Sequence, residues 1–393
     1  MKKIVCLLLA LVMVFALVAC GAEKEAATAY KIGGVGPLTG GAAIYGNAAK
    51  NGAEIAVAEI NALGGIQFEL KYEDDAHDAE KSVNAYNTLK DWGMQIFLGS
   101  VTSAPGVATS VEANADGMFY LTPSASSTDV LGGVENPLTG TIDIARKNNV
   151  FQLCFMDPSQ GAASAQYIAD KALGENIAVI YKNDDVYSTG IYNTFVAKAE
   201  ELGLNIVSTT TFTADSQTDF TVQIADAKDN GADLVFLPMY YEAASLILKQ
   251  SNDVDYAPIF FGVDGMDGIL TVEGFDTSLA EGVILLTPFS ADAQDEATQN
   301  FVAKYQEAYG EIPNQFAADG YDCVYAIYEA LMASEANYEM SAAEIGEILI
   351  AAFAGDFTFD GLTGEGMEWD ESGAVTKSPK GMVIENGVYV GLD

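Results

Sequence analysis

The residue types that most enzymes use for acid–base and metal chemistry are scarce in this chain. Among its 393 residues there is one histidine, His77, and one arginine, Arg146. A single imidazole excludes a multi-histidine metal site, and His77 lies in the polar run 73–78, which is typical of a solvated surface segment. The sequence therefore argues against Ser-His or Cys-His catalysis, and we expect neither an enzyme nor a bound metal or other cofactor.

A different set of side chains favours binding of a small zwitterion. The loops 103–106 and 122–127 offer hydroxyls and backbone amides at helix starts, which suit an anion without arginine. Asp264 is a carboxylate suited to an ammonium group, although Ser103, Ser126 and Asp264 taken singly also fit ordinary helix caps. Aromatic walls come from Tyr45, Tyr187, Tyr240 and Phe316. Together these groups predict a pocket for a free amino acid.

These residues follow the strands of a repeated α/β pattern. From residue 31 onward, short β-branched or aromatic runs alternate with loops and amphipathic stretches, which predicts parallel α/β units. The predicted strands form two series, 31–35, 68–72, 96–98 and 119–121, then 177–181, 206–210, 234–237 and 259–261. The loop residues of the two series follow their strands at similar intervals. Because parallel sheets bind ligands beyond the carboxyl ends of their strands, two facing lobes would share one cleft.

The N-terminus predicts where the protein works. A short basic region, residues 1–3, precedes an apolar stretch, residues 4–18, that is too short for the roughly 20 residues of a spanning helix. The stretch ends in a sequence, 17–20, that resembles the lipobox of bacterial lipoproteins. We therefore expect a signal peptide at 1–19 and a lipid on Cys20, with an ordinary signal peptide as the alternative. A tether, 20–29, would join this anchor to the folded part outside the cytoplasm.

Charge excludes one class of partner. Lys and Arg total 18 against 56 Asp and Glu, and the formal net charge is −38. Such a surface repels nucleic acid and anionic bilayers, so the membrane is expected to be contacted through the lipid alone. Self-repulsion also favours a monomer. The remaining cysteines, Cys154 and Cys323, lie in apolar segments and are predicted to be buried free thiols rather than a bridge.

Several motifs in order resemble the leucine/isoleucine/valine-binding family, the type I periplasmic solute-binding proteins of ABC transporters. They are the opening 36–40 (GPLTG) with Tyr45-Gly46, the segments 122–126 (TPSAS) and 185–190 (DVYSTG), and the late 361–364 (GLTG) with Trp369-Asp370. The similarity covers essentially the whole mature chain. It implies an α/β fold of two doubly wound parallel-sheet lobes joined by a three-strand hinge.

The resemblance also implies roles for individual residues. In that family, a hydroxyl matching Ser103, backbone matching Ser124 and Ala125, and a hydroxyl-bearing residue matching Ser126 hold the amino-acid head group. An acidic residue matching Asp264 neutralises the ammonium. Aromatic residues shape the pocket, and those that match them here are Tyr45, Tyr187, Tyr240 and Phe316.

This chain departs from the family pattern at three of these positions. Ser126 stands where branched-chain binders usually carry threonine, Ser124 where they carry alanine, and Asp264 where they carry glutamate. The shorter acid changes how deeply a ligand would sit. The head-group chemistry is retained, while the preferred side chain stays open.

The family's chain crosses between lobes three times, and the matching segments lie near 156–157, 286–287 and 363–367. We therefore expect lobe 1 to comprise residues 30–156 and 287–364, and lobe 2 residues 157–286 and 365–393. Hinge closure around an amino acid would precede delivery to a separate permease with its ATPase subunits. The chain itself has no Gly-x-x-x-x-Gly-Lys loop.

Three alternatives stay open on the sequence. An enzyme could use Asp157 and Asp264 as an acid–base pair. A sensory lipoprotein could bind the solute and dock to a receptor. A transport protein of the same fold could bind a different solute, such as an amide or an aromatic acid.

Overall fold

The computed structural model describes residues 28–135 and 140–392. The expected signal peptide, the expected lipidation site Cys20 and most of the expected tether lie outside this part of the chain. Within it, no helix is long and apolar enough to cross a membrane.

The first sheet contains five parallel strands with helices on both faces. The strands are Tyr30–Gly36 (β1), Phe68–Asp74 (β2), Ile96–Leu98 (β3), Tyr120–Thr122 (β4) and Val150–Gln152 (β5); the helices between them are Ala43–Ala62 (α1), Ala79–Trp92 (α2), Ser103–Asp116 (α3) and Thr128–Leu131 (α4). The order across the sheet is β2-β1-β3-β4-β5. Neighbouring residues of one strand serve opposite faces, since Leu98 packs into one apolar cluster and Phe97 into another.

The second sheet contains seven strands. They are Ile177–Lys182 (β6), Ile206–Phe212 (β7), Leu234–Leu237 (β8), Ile259–Gly262 (β9), Ile284–Thr287 (β10), Lys380–Glu385 (β13) and Val388–Gly391 (β14). The order is β14-β13-β10-β9-β8-β6-β7; five strands are parallel, and the two C-terminal strands are antiparallel to their neighbours. Its helices are Asp157–Lys171 (α5), Val186–Leu202 (α6), Thr221–Asp229 (α7) and Tyr241–Asp253 (α8).

Residues between β10 and β13 return to the first lobe. They form the helices Glu296–Tyr309 (α9), Gln315–Met332 (α10) and Ala342–Phe353 (α11), and a hairpin of Phe359–Gly361 (β11) and Gly364–Met367 (β12). The chain thus passes between the two sheets after β5, after β10 and before β13. The predicted fold class, α/β with two doubly wound lobes, is confirmed.

The structure departs from the expected division at one boundary. Residues 365–379 were expected in lobe 2, yet Trp369 packs against Phe353 of α11 with ring centroids 4.4 Å apart. Its indole Nε1 donates to the carbonyl of Gln152 at 2.9 Å, and the amide of Gln152 donates to that of Gly373 at 3.0 Å. Because burying this large ring requires the first lobe's core, the segment stays with lobe 1 until β13 begins.

Close contact of α1 with α10 positions two residues of the cleft. A Cβ added at Gly52 would lie 1.8 Å from the carbonyl oxygen of Ala317, and one at Gly320 would lie 2.2 Å from that of Ala49. Only glycine permits this approach. The contact holds the start of α1 beside the start of α10.

Both remaining cysteines lie in the interior. Cys154 and Cys323 are buried and unbridged, which confirms the prediction of free thiols. Burial raises the pKa of each thiol well above its ordinary value.

Candidate functional site

The carboxyl ends of the strands bring the expected residues to one place. Tyr187 lies in the first turn of α6, because the Asp185 side chain caps that helix by accepting from the amide of Ser188 at 3.2 Å. Phe316 lies in the first turn of α10, where Asn314 caps the helix. Tyr240 immediately precedes α8, and Asp264 begins the short 3₁₀ turn Asp264–Met266 after β9.

These side chains enclose a narrow cavity between the lobes. The residues around it pack so closely that its volume is only about 10 Å³, which is room for roughly one water molecule. Its walls are Tyr45, Val101, Thr102, Ser124, Ser126, Tyr187, Tyr240, Asp264, Gly265 and Phe316. Seven of the nine expected ligand-binding residues are among them, and they come from both lobes.

The aromatic wall is a continuous set of ring contacts. Tyr187 and Tyr240 stack nearly parallel, with centroids 4.6 Å apart and planes 7° apart. Tyr45 contacts Tyr240 at 5.5 Å and Phe316 at 4.5 Å. Burial raises the pKa of all three tyrosines well above the ordinary value, so their hydroxyls are neutral donors at neutral pH. These rings could pack against the apolar side chain of a ligand.

Asp264 lies at the second-lobe side of this wall and is 3% exposed. The Tyr187 hydroxyl donates to its Oδ1 at 2.5 Å and accepts from the Gly265 amide at 2.9 Å. Burial raises the pKa of Asp264 to about 7, and the hydrogen bond from Tyr187 opposes that increase. The carboxylate is thus costly to ionise unless a cation approaches.

Asp157 is a second buried carboxylate in the cleft, which the sequence suggested only as a member of an acid–base pair. It lies in the first turn of α5, and its amide donates to the Ser126 carbonyl at 3.1 Å. Neither carboxylate oxygen has a partner with good hydrogen-bond geometry among the described residues. Burial and the nearby Asp264 raise its pKa well above the ordinary value, although the Ser126 hydroxyl beside it partly offsets this effect.

The hydroxyls and backbone amides of the first-lobe loops form more hydrogen bonds with one another than expected. The Thr122 hydroxyl accepts from the amides of Ser124 at 3.3 Å and Ala125 at 2.9 Å, so neither amide points freely into the cavity. The Ser103 hydroxyl accepts from the amide of Ser127 at 3.2 Å. Ser103 and Ala125 therefore lie behind the cavity wall, whereas Ser124 and Ser126 form part of it.

The expectation of a solvated segment holds for Asp74 and Asp78, which are exposed, but Asp75 is buried and His77 is half-buried. Its Nδ1 lies 2.9 Å from the Thr102 hydroxyl, and its ring meets Tyr240 edge-on at 5.4 Å. Burial lowers its pKa to about 4, so the ring is neutral at neutral pH. Its backbone is left-handed, with φ of 59°.

A buried inter-lobe cavity that combines hydroxyls, aromatic rings and a carboxylate, set at the carboxyl ends of two parallel sheets, defines a two-lobed solute-binding protein. A family model described as periplasmic binding protein matches residues 29–378. The chain therefore belongs to this family, in the type I group that includes the Leu/Ile/Val-binding proteins.

Individual relatives agree with this assignment. The chain is 27% identical over 353 residues to the Leu/Ile/Val/Thr-binding protein of Salmonella typhimurium, with 87% of each chain covered. It is 30% identical over 239 residues to Leu/Ile/Val-binding protein homolog 3 of Brucella melitensis, and the aligned region covers 60% of this chain and 61% of that relative. The solved leucine-binding protein LivK of Thermotoga maritima superposes with a TM-score of 0.80 at 26% identity, covering 93% of this chain and 98% of the other.

Proposed function

We propose that this protein binds a free amino acid between its lobes outside the cytoplasm and delivers it to an ABC permease. Amino acids with apolar, branched side chains are the preferred candidates. The observation that carries the proposal is Asp264, a carboxylate buried among tyrosine rings at the lobe interface and held by the Tyr187 hydroxyl.

The charges around the cavity favour a ligand with an ammonium group. Asp264 and Asp157 are both buried, and none of the residues that line the cavity is a lysine or arginine. An ammonium would neutralise this site through charge-assisted hydrogen bonds. A plain aromatic acid would bring a further negative charge beside two carboxylates, which disfavours that alternative solute.

The opposite end of the cavity suits a carboxylate. The hydroxyls of Ser124, Ser126 and Thr102 belong to its wall, and the start of α3 adds the positive end of a helix dipole. Rearrangement of the 122–126 turn on binding would free the amides that Thr122 now satisfies. Between the two ends, the rings of Tyr45, Tyr240 and Phe316 would contact the side chain.

The relatives support the choice of side chain and the wider role. The Salmonella typhimurium protein is named for binding leucine, isoleucine, valine and threonine, and the Thermotoga maritima protein for binding leucine. By analogy, the two lobes would close about the three crossing segments. Cys20 would carry the lipid that keeps the protein at the membrane, and separate subunits would hydrolyse ATP.

A thermal-shift screen tests the proposal. The purified chain is unfolded and refolded to remove carried-over ligand, then heated with each of the twenty L-amino acids and with a set of amides and aromatic acids. A ligand at 100 times its dissociation constant should stabilise the fold by about 2.7 kcal/mol, a shift of a few degrees. We expect the largest shifts with Leu, Ile or Val.

Other outcomes would redirect the proposal. A response only to solutes without an ammonium would retain a binding role but contradict the assignment of Asp264. Conversion of a solute during incubation would indicate an enzyme. Signalling in place of uptake would be revealed if deleting the gene left amino-acid import unchanged.

A further inference from the structure

Gln315 connects the two lobes beside the cavity without forming part of its wall. It is the first residue of α10 and is 1% exposed. Its side-chain Nε2 donates to the carbonyl oxygen of Asp264 at 2.9 Å, and its backbone amide donates to Oδ2 of Asp267 at 3.0 Å. Both acceptors belong to the segment 264–267, which follows β9 of the second sheet.

The two hydrogen bonds span the lobe interface. Helix α10 packs on the first sheet through Cys323, Val324 and Ile327, whereas the segment 264–267 continues from the second sheet. Donors on one lobe reach acceptors on the other only while the lobes are together. Opening the cleft would therefore break both bonds at once.

The second-lobe acceptor is itself firmly held. Asp267 is 5% exposed, and the Tyr389 hydroxyl lies against it while accepting from the amide of Gly268 at 3.0 Å. Gly268 has φ of 104°, and an added Cβ would lie 2.8 Å from Ile44 of the first lobe. This close approach lets the first lobe dock directly against the 264–268 segment.

We propose that Gln315 and Asp267 form a clasp that slows reopening of the lobes around a bound amino acid without touching it. The inference rests on the proposed function, because it concerns the same cleft. Gln315 is a positioning residue: it is absent from the cavity wall and acts on the main chain of Asp264. Its expected effect is on release of the ligand rather than on capture.

The test measures association and dissociation rates separately. Purified full-length protein in detergent is loaded with radiolabelled L-leucine, or with the amino acid that gives the largest shift in the screen, and is chased with unlabelled ligand. Gln315→Ala should raise the dissociation rate about five- to tenfold, as expected for the loss of one buried hydrogen bond. Asp267→Ala should raise it at least as much. The association rate should change less than twofold in both variants.

Two further variants separate a clasp from general damage to the fold. Asp267→Asn keeps an acceptor for the Gln315 amide and should restore a dissociation rate within twofold of the original. Gln306→Ala removes an exposed glutamine of α9 and should change neither rate.

The outcomes are distinguishable. If the unaltered protein binds an amino acid but Gln315→Ala and Asp267→Ala release it at the original rate, the clasp is refuted. It is refuted equally if the association rate falls by much more than twofold in the alanine variants and Asp267→Asn does not restore the original rates. If the unaltered protein binds none of the twenty amino acids, the proposed function fails instead.

Discussion

At the scale of single residues, burial makes Asp264 costly to ionise in the cleft. A carboxylate that is 3% exposed loses most of its hydration, and the Tyr187 hydroxyl replaces only part of it. A ligand ammonium would supply the missing counter-charge. Stabilising this carboxylate is therefore expected to provide much of the binding energy.

Asp264→Ala should weaken amino-acid binding by about 2–5 kcal/mol, because the ammonium would then be buried without its ion pair. Titration calorimetry measures the loss. Asp229→Ala, at an exposed position at the end of α7, is the matched control and should leave affinity unchanged. Equal affinities in the two variants would contradict the assignment.

Affinity should also depend on pH. The pKa of Asp264 is raised to about 7, so below this pH the acid binds a proton that an incoming ammonium must displace. The affinity should therefore fall as pH decreases from 8 to 5.5, by at most about tenfold per unit for one coupled proton. Calorimetry across this range measures it. Asp264→Asn should flatten the profile, and a flat profile in the unaltered protein would show that Asp264 does not titrate on binding.

At the scale of elements, the pair of helices α1 and α10 determines where two walls of the cleft lie. Gly52 and Gly320 let the helices touch, and the same helices carry Tyr45 and Phe316. Packing of these two helices therefore sets the positions of Tyr45 and Phe316. The Gln315 clasp lies at the N-terminal end of α10.

Gly52→Ala should destabilise the fold by about 1–3 kcal/mol, because its methyl group would lie 1.8 Å from the Ala317 carbonyl. Urea unfolding measures the free energy. Gly65→Ala is the control, since an added Cβ there has no neighbour within 4 Å, and its effect should stay within about 0.5 kcal/mol. Equal stabilities of the two variants would refute the tight contact.

At the scale of the whole molecule, buried carboxylates and net charge both destabilise the fold as pH rises. Burial raises the pKa of Asp75 and Asp264 to about 7 and that of Asp267 and Asp319 to about 6. The formal net charge of −38 adds self-repulsion that grows as carboxylates ionise. The buried pair of Lys377 and Asp319, 2.9 Å apart, offsets only one of these charges.

The ligand-free protein should therefore unfold at a higher temperature at pH 5 than at pH 8. A carboxyl group whose folded pKa is raised stabilises the fold below its unfolded pKa near 4, and this stability is lost as pH rises through 6 to 7. His77 opposes the trend, since burial lowers its pKa to about 4, but the buried carboxyl groups with raised pKa outnumber it. Scanning calorimetry measures the midpoint. Asp75→Asn should reduce the pH dependence, and a midpoint that falls on acidification would contradict the prediction.

The sequence by itself determined the alternating strands and helices of both lobes and the set of groups that meet in the cleft. Alternating strand and helix patterns are local. Parallel strands bring the loops of Tyr45 and Ser126 to one edge of the first sheet, and those of Tyr187 and Asp264 to one edge of the second. Strands β5, β10 and β11 to β14 were not predicted. The last four pair antiparallel, so they lack the alternation with helices on which the prediction relied. The roles of these residues in binding remain predictions.

Only the tertiary structure decided which of those groups face the cavity. Thr122 turns the amides of Ser124 and Ala125 away, and Asp157 is buried with unpartnered oxygens beside Ser126. The clasp joins residues 48 positions apart, and Trp369 holds its segment to lobe 1 through Gln152, 217 positions away. The Trp369 contact joins segments that are remote in the sequence, about which periodicity and local spacing carry no information. The clasp depends in addition on the distance between the lobes, because each lobe could form the same strands and helices with the cleft open or closed.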